Sequence, residues 1–155
     1  MNASAMQIQT DIHVAASPDH VFRVFTDDFD VWWPKSHHIG GEDEYTAIIE
    51  PRAGGRWYER GASGTECEWG EVLAYEPPAR LLLRWGLNGA WQYDQNLDTR
   101  VEVTFVPENE GTRVTLRHFQ LENLGAAAET LRDSVGSDQG WPTLLATLKA
   151  HAETH

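Results

Sequence analysis

The chain of 155 residues has the length of one domain, enough to bury roughly two-thirds of the surface its unfolded form exposes. Its 24 acidic against 12 basic residues leave a formal charge of −12. The basic residues are scattered from Arg23 to Lys149 rather than gathered on one face, which argues against nucleic acid or an anionic membrane as partner. Cys67 is the only cysteine, so an intrachain disulfide and a multi-cysteine zinc site are excluded.

In chain order, "MQIQTDIHVAA" alternates, with Ile8, Ile12 and Val14 on one face of an expected strand. "SPDHVFRVFTD" carries a helix start. Ser17 is the N-cap, Pro18 lies in the first turn, and Asp19 sits near the positive end of the dipole. Val21, Val24 and Phe25 follow at buried-stripe spacing. In "FDVWWPKSHHIG", Pro34 limits any further helix to about the preceding turn.

From Tyr45 to Leu121 the texture is strand after strand: "YTAIIEP", "GGRWYERG", "TECEWGEVLAYE", "ARLLLRWGL", "TRVEVTFVPE" and "TRVTLRHFQL". Gly- and Pro-rich turns separate them, which describes an antiparallel meander. Helices close the chain. Leu124, Ala128, Leu131 and Val135 form one stripe ended by Gly136, and Trp141, Leu144, Leu145 and Leu148 form a second. A large sheet with one covering stripe buries one face under that last helix, and its twist curls it around the cover. A cavity between the two is expected, lined by the inward parity of each strand.

Charged residues mark the outside. Arg56 and Arg60 face water and send Trp57 and Glu59 inward; Glu66 and Glu68 do the same for Cys67 and Trp69. Leu81, Leu83 and Trp85 oppose Arg84, Val101, Val103 and Phe105 oppose Glu102, and Val114, Leu116 and His118 oppose Arg117. A bulge reverses such parity, and Gly70 is a plausible place for one; without it Glu71 also faces inward. The expected interior is rich in tryptophan: Trp57, Trp69, Trp85 and, from the closing helix, Trp141. Such rings fill cores and also surround organic ligands.

The segments "AASPDHVFRVFTD", "FDVWWP", "PRAGGRWYER", "GEVLAYEPPARLLLRW", "TRVEVTF…GTRVTLRH" and "GWPTLLATL" resemble, in order and over nearly the whole chain, the START-related or SRPBCC superfamily. Within it, the chain resembles the branch named after activators of the heat-shock-protein-90 ATPase. The resemblance implies an α+β helix-grip fold. In it a curved seven-stranded antiparallel sheet wraps a long C-terminal helix, with one or two short helices between the first two strands, in a single domain over 1–155. It also implies binding of lipid-, sterol-, polyketide- or hormone-like molecules, with cyclisation or hydrolysis in some members. The co-chaperone that names the branch carries an additional N-terminal domain; with about seven residues before the first strand, no such domain is expected here. One departure is "GLNGAWQYDQNLD", longer than a tight turn, where Trp91 and Tyr93 could form a lid, an interface or a plain loop.

Adjacent His37 and His38 diverge in an extended segment, and the chain has no HxxxH or HExxH spacing, so no metal and no cofactor are expected. Cys67 could pair with His118 as a nucleophile, but lone buried cysteines behave as small hydrophobes. Acid–base work has two candidates, Glu59 and His118. An apolar surrounding raises a carboxyl pKa, and an imidazole exchanges protons near neutrality. Glu59 could instead lie at the rim beside Arg56 or Arg60, and His118 could be a satisfied core residue.

The expected ligand-binding set is therefore Trp33, His37, Trp57, Glu59, Cys67, Trp69, Trp85, His118, Trp141, Leu145 and Leu148. The expected partner is a small, largely hydrophobic or aromatic molecule. An enzyme using the same cavity as a cyclase, dehydratase or hydrolase is one alternative, and a co-chaperone-like interaction module is another. A homodimer stays open. No apolar run reaches the ~18 residues of a membrane span, and "MNASAMQIQT" lacks a basic start and long apolar centre, so the expected location is the cytoplasm.

Overall fold

The computed structural model describes residues 7–33, 44–88, 92–136 and 140–154. Strand β1 (Ile8–Val14) leads into helices α1 (Pro18–Asp27) and α2 (Phe29–Trp32). Strands β2 (Tyr45–Ile49), β3 (Arg56–Gly61), β4 (Glu66–Glu76), β5 (Arg80–Trp85), β6 (Thr99–Glu108) and β7 (Gly111–Phe119) follow. A 3₁₀ stretch over Leu121–Ala127 then precedes α3 (Ala128–Val135) and α4 (Trp141–Thr154).

The helix starts as its sequence dictates. Ser17 is extended and its Oγ accepts from the His20 amide at 3.3 Å, with Pro18 at the first helical position where a missing N–H costs nothing. Val21, Phe22, Val24 and Phe25 are buried. The 3₁₀ stretch breaks at Gly125, whose φ of +63° is open to glycine without strain. The stripe from Ala128 through Leu131 to Val135 is buried as its spacing requires, while Leu124, one turn earlier, is only partly covered.

All seven strands form one antiparallel sheet in the order β1-β7-β6-β5-β4-β3-β2. The meander runs from β2 to β7, and β1 closes onto β7, with Ile12 opposite Val114. The helices α1 and α2 are the crossover that carries the chain from one edge to the other. The sheet curls around α4, giving the α+β helix-grip arrangement, and α4 lies against β1, α1 and α2.

Register decides what faces inward. One row across the sheet is Val72, Leu83, Val101 and His118, paired in succession and each 0% exposed. A second runs Ile49, Trp57, Gly70, Trp85, Thr99, and a third is Ala47, Glu59 and Cys67. The rows are offset by two bulges in β4. Trp57 pairs with Gly70 while Tyr58 pairs with Glu68, leaving Trp69 as the extra residue, and a second shift falls between Val72 and Ala74. The first lies one residue before Gly70 and places Glu71 on the outer face, where Arg84 Nε meets its carboxylate at 3.1 Å. The outer face is laced by further arginine–carboxylate pairs, among them Arg56–Glu68 at 2.9 Å and Arg80–Glu102 at 2.7 Å.

The loop between β5 and β6 is tied to that outer face where it is described. Tyr93 bridges to Leu87, and Arg84 donates to the Tyr93 hydroxyl and, at 2.7 Å, to the Leu97 carbonyl. Trp91 lies outside the described residues.

Candidate functional site

The concave side of the sheet gathers indole rings from separate elements. Trp57 comes from β3, Trp69 from β4, Trp85 from β5, Trp141 from the start of α4, and Trp33 from the C-cap of α2. Ring centroids of Trp57 lie 5.6 Å from Trp69 and 5.7 Å from Trp85. Trp141 stands 5.8 Å from Trp85 and 6.1 Å from Trp33, and Trp33 stands 5.3 Å from Trp69. Most of these contacts are edge-to-face, the arrangement ring quadrupoles prefer. Phe29 closes the cluster from α2, 4.8 Å from Trp33 and 6.2 Å from Trp57. Trp32 takes a different part: its ring packs 5.0 Å from Phe25 and its N–H donates to the Phe25 carbonyl, which seats it under α1.

Gly70 makes the centre of this cluster. It is the strand position between Trp57 and Trp85, and a Cβ there would fall 1.7 Å from the Arg84 carbonyl oxygen. The bare backbone lets β4 and β5 approach, and it lets the two flanking rings meet across the place a side chain would fill.

Polar groups enter the ring cluster at three points. Glu59 is 2% exposed, not at the rim beside the arginines, and it accepts from Trp69 Nε1 at 2.9 Å. Next to it on β2 is Tyr45, 7% exposed, which receives a hydrogen bond from Trp33. Burial, followed by the negative charges of Glu59 and Asp30, pushes the Tyr45 phenol well above its ordinary pKa, so it stays protonated across the physiological range. Asp30 is itself held in place by the Ala47 amide at 2.8 Å.

The third point is His118, which is 0% exposed. Its Nδ1 accepts from Trp141 Nε1 at 3.2 Å. An indole only donates, so Nδ1 carries no proton and the neutral ring is the Nε2–H tautomer. Nε2 then donates to Thr99 Oγ1 at 3.2 Å, and the Thr99 hydroxyl donates in turn to the Trp85 carbonyl at 2.9 Å. The chain Trp141–His118–Thr99–Trp85 is directional from end to end. Burial pushes His118 down to about 3, so the ring is neutral at pH 7.

The indole donors are satisfied in turn. Trp85 Nε1 reaches the Leu87 carbonyl at 2.9 Å, and Trp32, Trp33, Trp69 and Trp141 bond as described above. Trp57 Nε1 is the exception among the described residues: it is buried and has no hydrogen-bond partner. Leaving such a donor unmade costs on the order of 1–3 kcal/mol.

Of the residues singled out from sequence, the structure brings together Trp33, Trp57, Glu59, Trp69, Trp85, His118 and Trp141. Leu145 and Leu148 are buried at 1% and 0% on the face of α4. Cys67 is half-buried opposite Glu59, at the β4 end of the third row. His37 lies outside the described residues. Sequence reasoning missed Tyr45 and Thr99. Both follow from the parity rule already applied to neighbouring strands: Tyr45 shares its face with Ala47 and Ile49, and Thr99 with Val101 and Val103. No group of three or more metal-ligating side chains occurs among the described residues, and no described helix is long and apolar enough to cross a membrane.

A curled antiparallel sheet gripping a C-terminal helix defines a helix-grip protein of the SRPBCC type. Within that class the chain belongs to the family described as activator of Hsp90 ATPase homolog 1-like protein, which residues 15–153 match. Among solved structures it is similar to Txn09, an anthrahydroquino-γ-pyrone synthase solved as a complex, at 36% identity and TM-score 0.65 over 93% of this chain and 95% of that one. It is also similar to CalC from Micromonospora echinospora, a self-sacrificing resistance protein, at 28% identity and TM-score 0.72 over 96% and 94%. Protein NE0264 from Nitrosomonas europaea, at 17% identity and TM-score 0.70 over 99% and 98%, shares the fold. No curated protein matches the sequence.

Proposed function

We propose that this protein binds a small, planar aromatic molecule between the concave face of the sheet and α4. The observation that carries this reading is the convergence of five indole rings from separate elements around three buried polar groups, Glu59, Tyr45 and His118. A core needs apolar volume; it does not need a carboxylate, a phenol and an imidazole embedded in it, each of which costs free energy to bury. Binding sites combine apolar walls with a few placed polar groups. The chain's charge of −12 disfavours an anionic ligand.

Because the rings touch, a ligand takes its place by displacing one of them. Trp33, at the end of α2, and Trp85 keep 6% and 5% of their surface exposed, against 2% or less for Trp57, Trp69 and Trp141. We assign the entrance to the side of Trp33 and Trp85. Leu145 and Leu148 form the floor on α4.

The similarity to an anthrahydroquino-γ-pyrone synthase supports a second reading, in which the same site closes a ring. In that reading Glu59 accepts a proton from the substrate, Tyr45, held protonated, donates a hydrogen bond to its oxygen, and His118 keeps Trp141 in place through Nδ1. The co-chaperone alternative finds less support. The exposed large apolar side chains among the described residues are Val31 and Val106, on separate elements, and scattered singles make no docking patch.

The test is intrinsic tryptophan fluorescence during titration with flavonoids, polyketide-like polycyclic aromatics, fatty acids and sterols. Saturable quenching by the planar aromatics, weakened at least tenfold in Trp85→Phe, is expected. For the enzymatic reading, Glu59→Gln retains this binding and loses turnover. No saturable response to any aromatic, with no compound raising the thermal midpoint, contradicts both readings.

A further inference from the structure

Among the described residues, the one unpaired indole donor belongs to Trp57, inside the ring cluster. Trp57 is 0% exposed, and its ring is flanked by Trp69 at 5.6 Å, Trp85 at 5.7 Å and Phe29 at 6.2 Å. Among the described residues, every other buried indole N–H has found an acceptor. Trp32 and Trp85 use backbone carbonyls, Trp69 uses Glu59, Trp141 uses His118, and Trp33 bonds to Tyr45. A fold that pairs five such donors and leaves the central one unmade is placing that donor for something else, since buried polar groups are otherwise satisfied.

We propose that Trp57 Nε1–H is the hydrogen-bond donor to a neutral carbonyl oxygen conjugated to the aromatic rings of the ligand, so that the ligand class is an aryl ketone or quinone. The inference rests on the aromatic-binding reading given above and specifies it. Three features select this class. The protein group is a pure donor, so the ligand atom is an acceptor. Rings stand on several sides of it, so the atom belongs to a flat π-system. The carboxylate of Glu59 lies one indole away, through Trp69, and its charge is felt at Tyr45. A phenolate or carboxylate oxygen would meet that charge in a low-dielectric surrounding, whereas a carbonyl oxygen presents only a dipole.

Two probes of nearly identical shape isolate the interaction: 9-fluorenone, a planar diaryl ketone, and fluorene, which lacks the oxygen. Affinities of both are measured by fluorescence quenching for the wild-type protein and for Trp57→Phe, which keeps an aromatic ring and removes the N–H. The expected result is fluorenone binding the wild type roughly tenfold tighter than fluorene, as one hydrogen bond supplies, with the ratio falling to about one in Trp57→Phe. Equal binding of the two probes by the wild type, or an unchanged ratio in the variant, overturns the donor role and leaves the aromatic-binding reading standing. Failure of both probes to bind overturns the donor proposal, and it overturns the reading on which the proposal rests if no other planar aromatic binds either. If Trp57→Phe does not fold, the indole ¹⁵N–¹H resonance of Trp57 in the wild type, assigned through its contacts to Trp69 and Trp85, gives the same answer. It moves downfield with fluorenone and not with fluorene, and a resonance indifferent to fluorenone overturns the proposal.

Discussion

Replacing Gly70 by alanine is expected to cost roughly 3–5 kcal/mol of stability, among the largest effects a single methyl produces. The added Cβ would stand 1.7 Å from the Arg84 carbonyl oxygen and 2.8 Å from its carbon. Both are backbone atoms, so no rotamer change relieves the clash, and either β4 and β5 separate at the Gly70–Trp85 pair or the bulge at Trp69 moves. Either outcome drives Trp57 and Trp85 apart, so ligand binding should fall with stability. For a domain of this size the thermal midpoint should drop by roughly 10 °C. Gly64→Ala is the control: nothing lies within 4 Å of a Cβ there, although φ is +94°, so a cost of about 1–2 kcal/mol from the left-handed backbone is expected. Comparable losses in the two variants by urea denaturation would mean that β4 and β5 are not in close approach at Gly70.

Acid should destabilise the protein through His118 as the pH falls below 6.5. In the folded state burial holds the imidazole at about 3, while in the unfolded chain it returns to its ordinary value of 6.5. The folded pKa is thus depressed. Above 6.5 both states are neutral and His118 contributes no pH dependence. Below 6.5 the unfolded state takes up a proton that the folded state refuses, so stability falls as pH falls, until about 3, where the folded state accepts it as well. Between pH 7 and pH 5 the loss is about 2 kcal/mol, from ~1.4 kcal/mol per unit over most of the interval. Arginine or lysine partners hold Glu66, Glu108 and Glu153 below the ordinary carboxylate range, and at Glu102 burial, which raises the pKa, is outweighed by Arg80 and Arg117, so their contribution comes at lower pH. His118→Gln should start less stable at pH 7, because the Trp141–His118–Thr99 chain is disturbed, and should lose about 2 kcal/mol less than the wild type on going to pH 5. Equal pH dependence in both proteins would show that His118 takes up its proton freely in the folded state.

The fold was legible because charge and apolarity alternate cleanly in most strands. Arg80, Arg84, Glu102 and Arg117 mark one face, and Leu83, Val101 and His118 take the other, as the register shows. The stripe of Trp141, Leu144, Leu145 and Leu148 was equally plain at helical spacing. The bulges were not, apart from the hint of Gly70, because an extra residue changes no local composition and is set by how β4 curls between β3 and β5. The site was legible only as a set of inward rings. That Trp141 meets His118, 23 residues away, depends on where α4 lands across the sheet, and no periodicity within either segment carries that information. Glu59 and Trp69 were both legible as inward, but the hydrogen bond between them was not, because the strand partner of Glu59 is Cys67 and the contact depends on how β4 bulges at Trp69. Tyr45 passed as an ordinary strand residue because its partners, Trp33 and Glu59, come from other elements.

Binding between sheet and helix is decided by the crystal structure of the protein with the aromatic ligand that quenches its tryptophans best. The ligand's ring system is expected between β3–β5 and α4, in contact with Trp57, Trp69, Trp85 and Trp141, with Trp33 swung from its place against Trp69. A ligand found on the outer face of the sheet or along the helices, with the rings still in their present contacts, would contradict it.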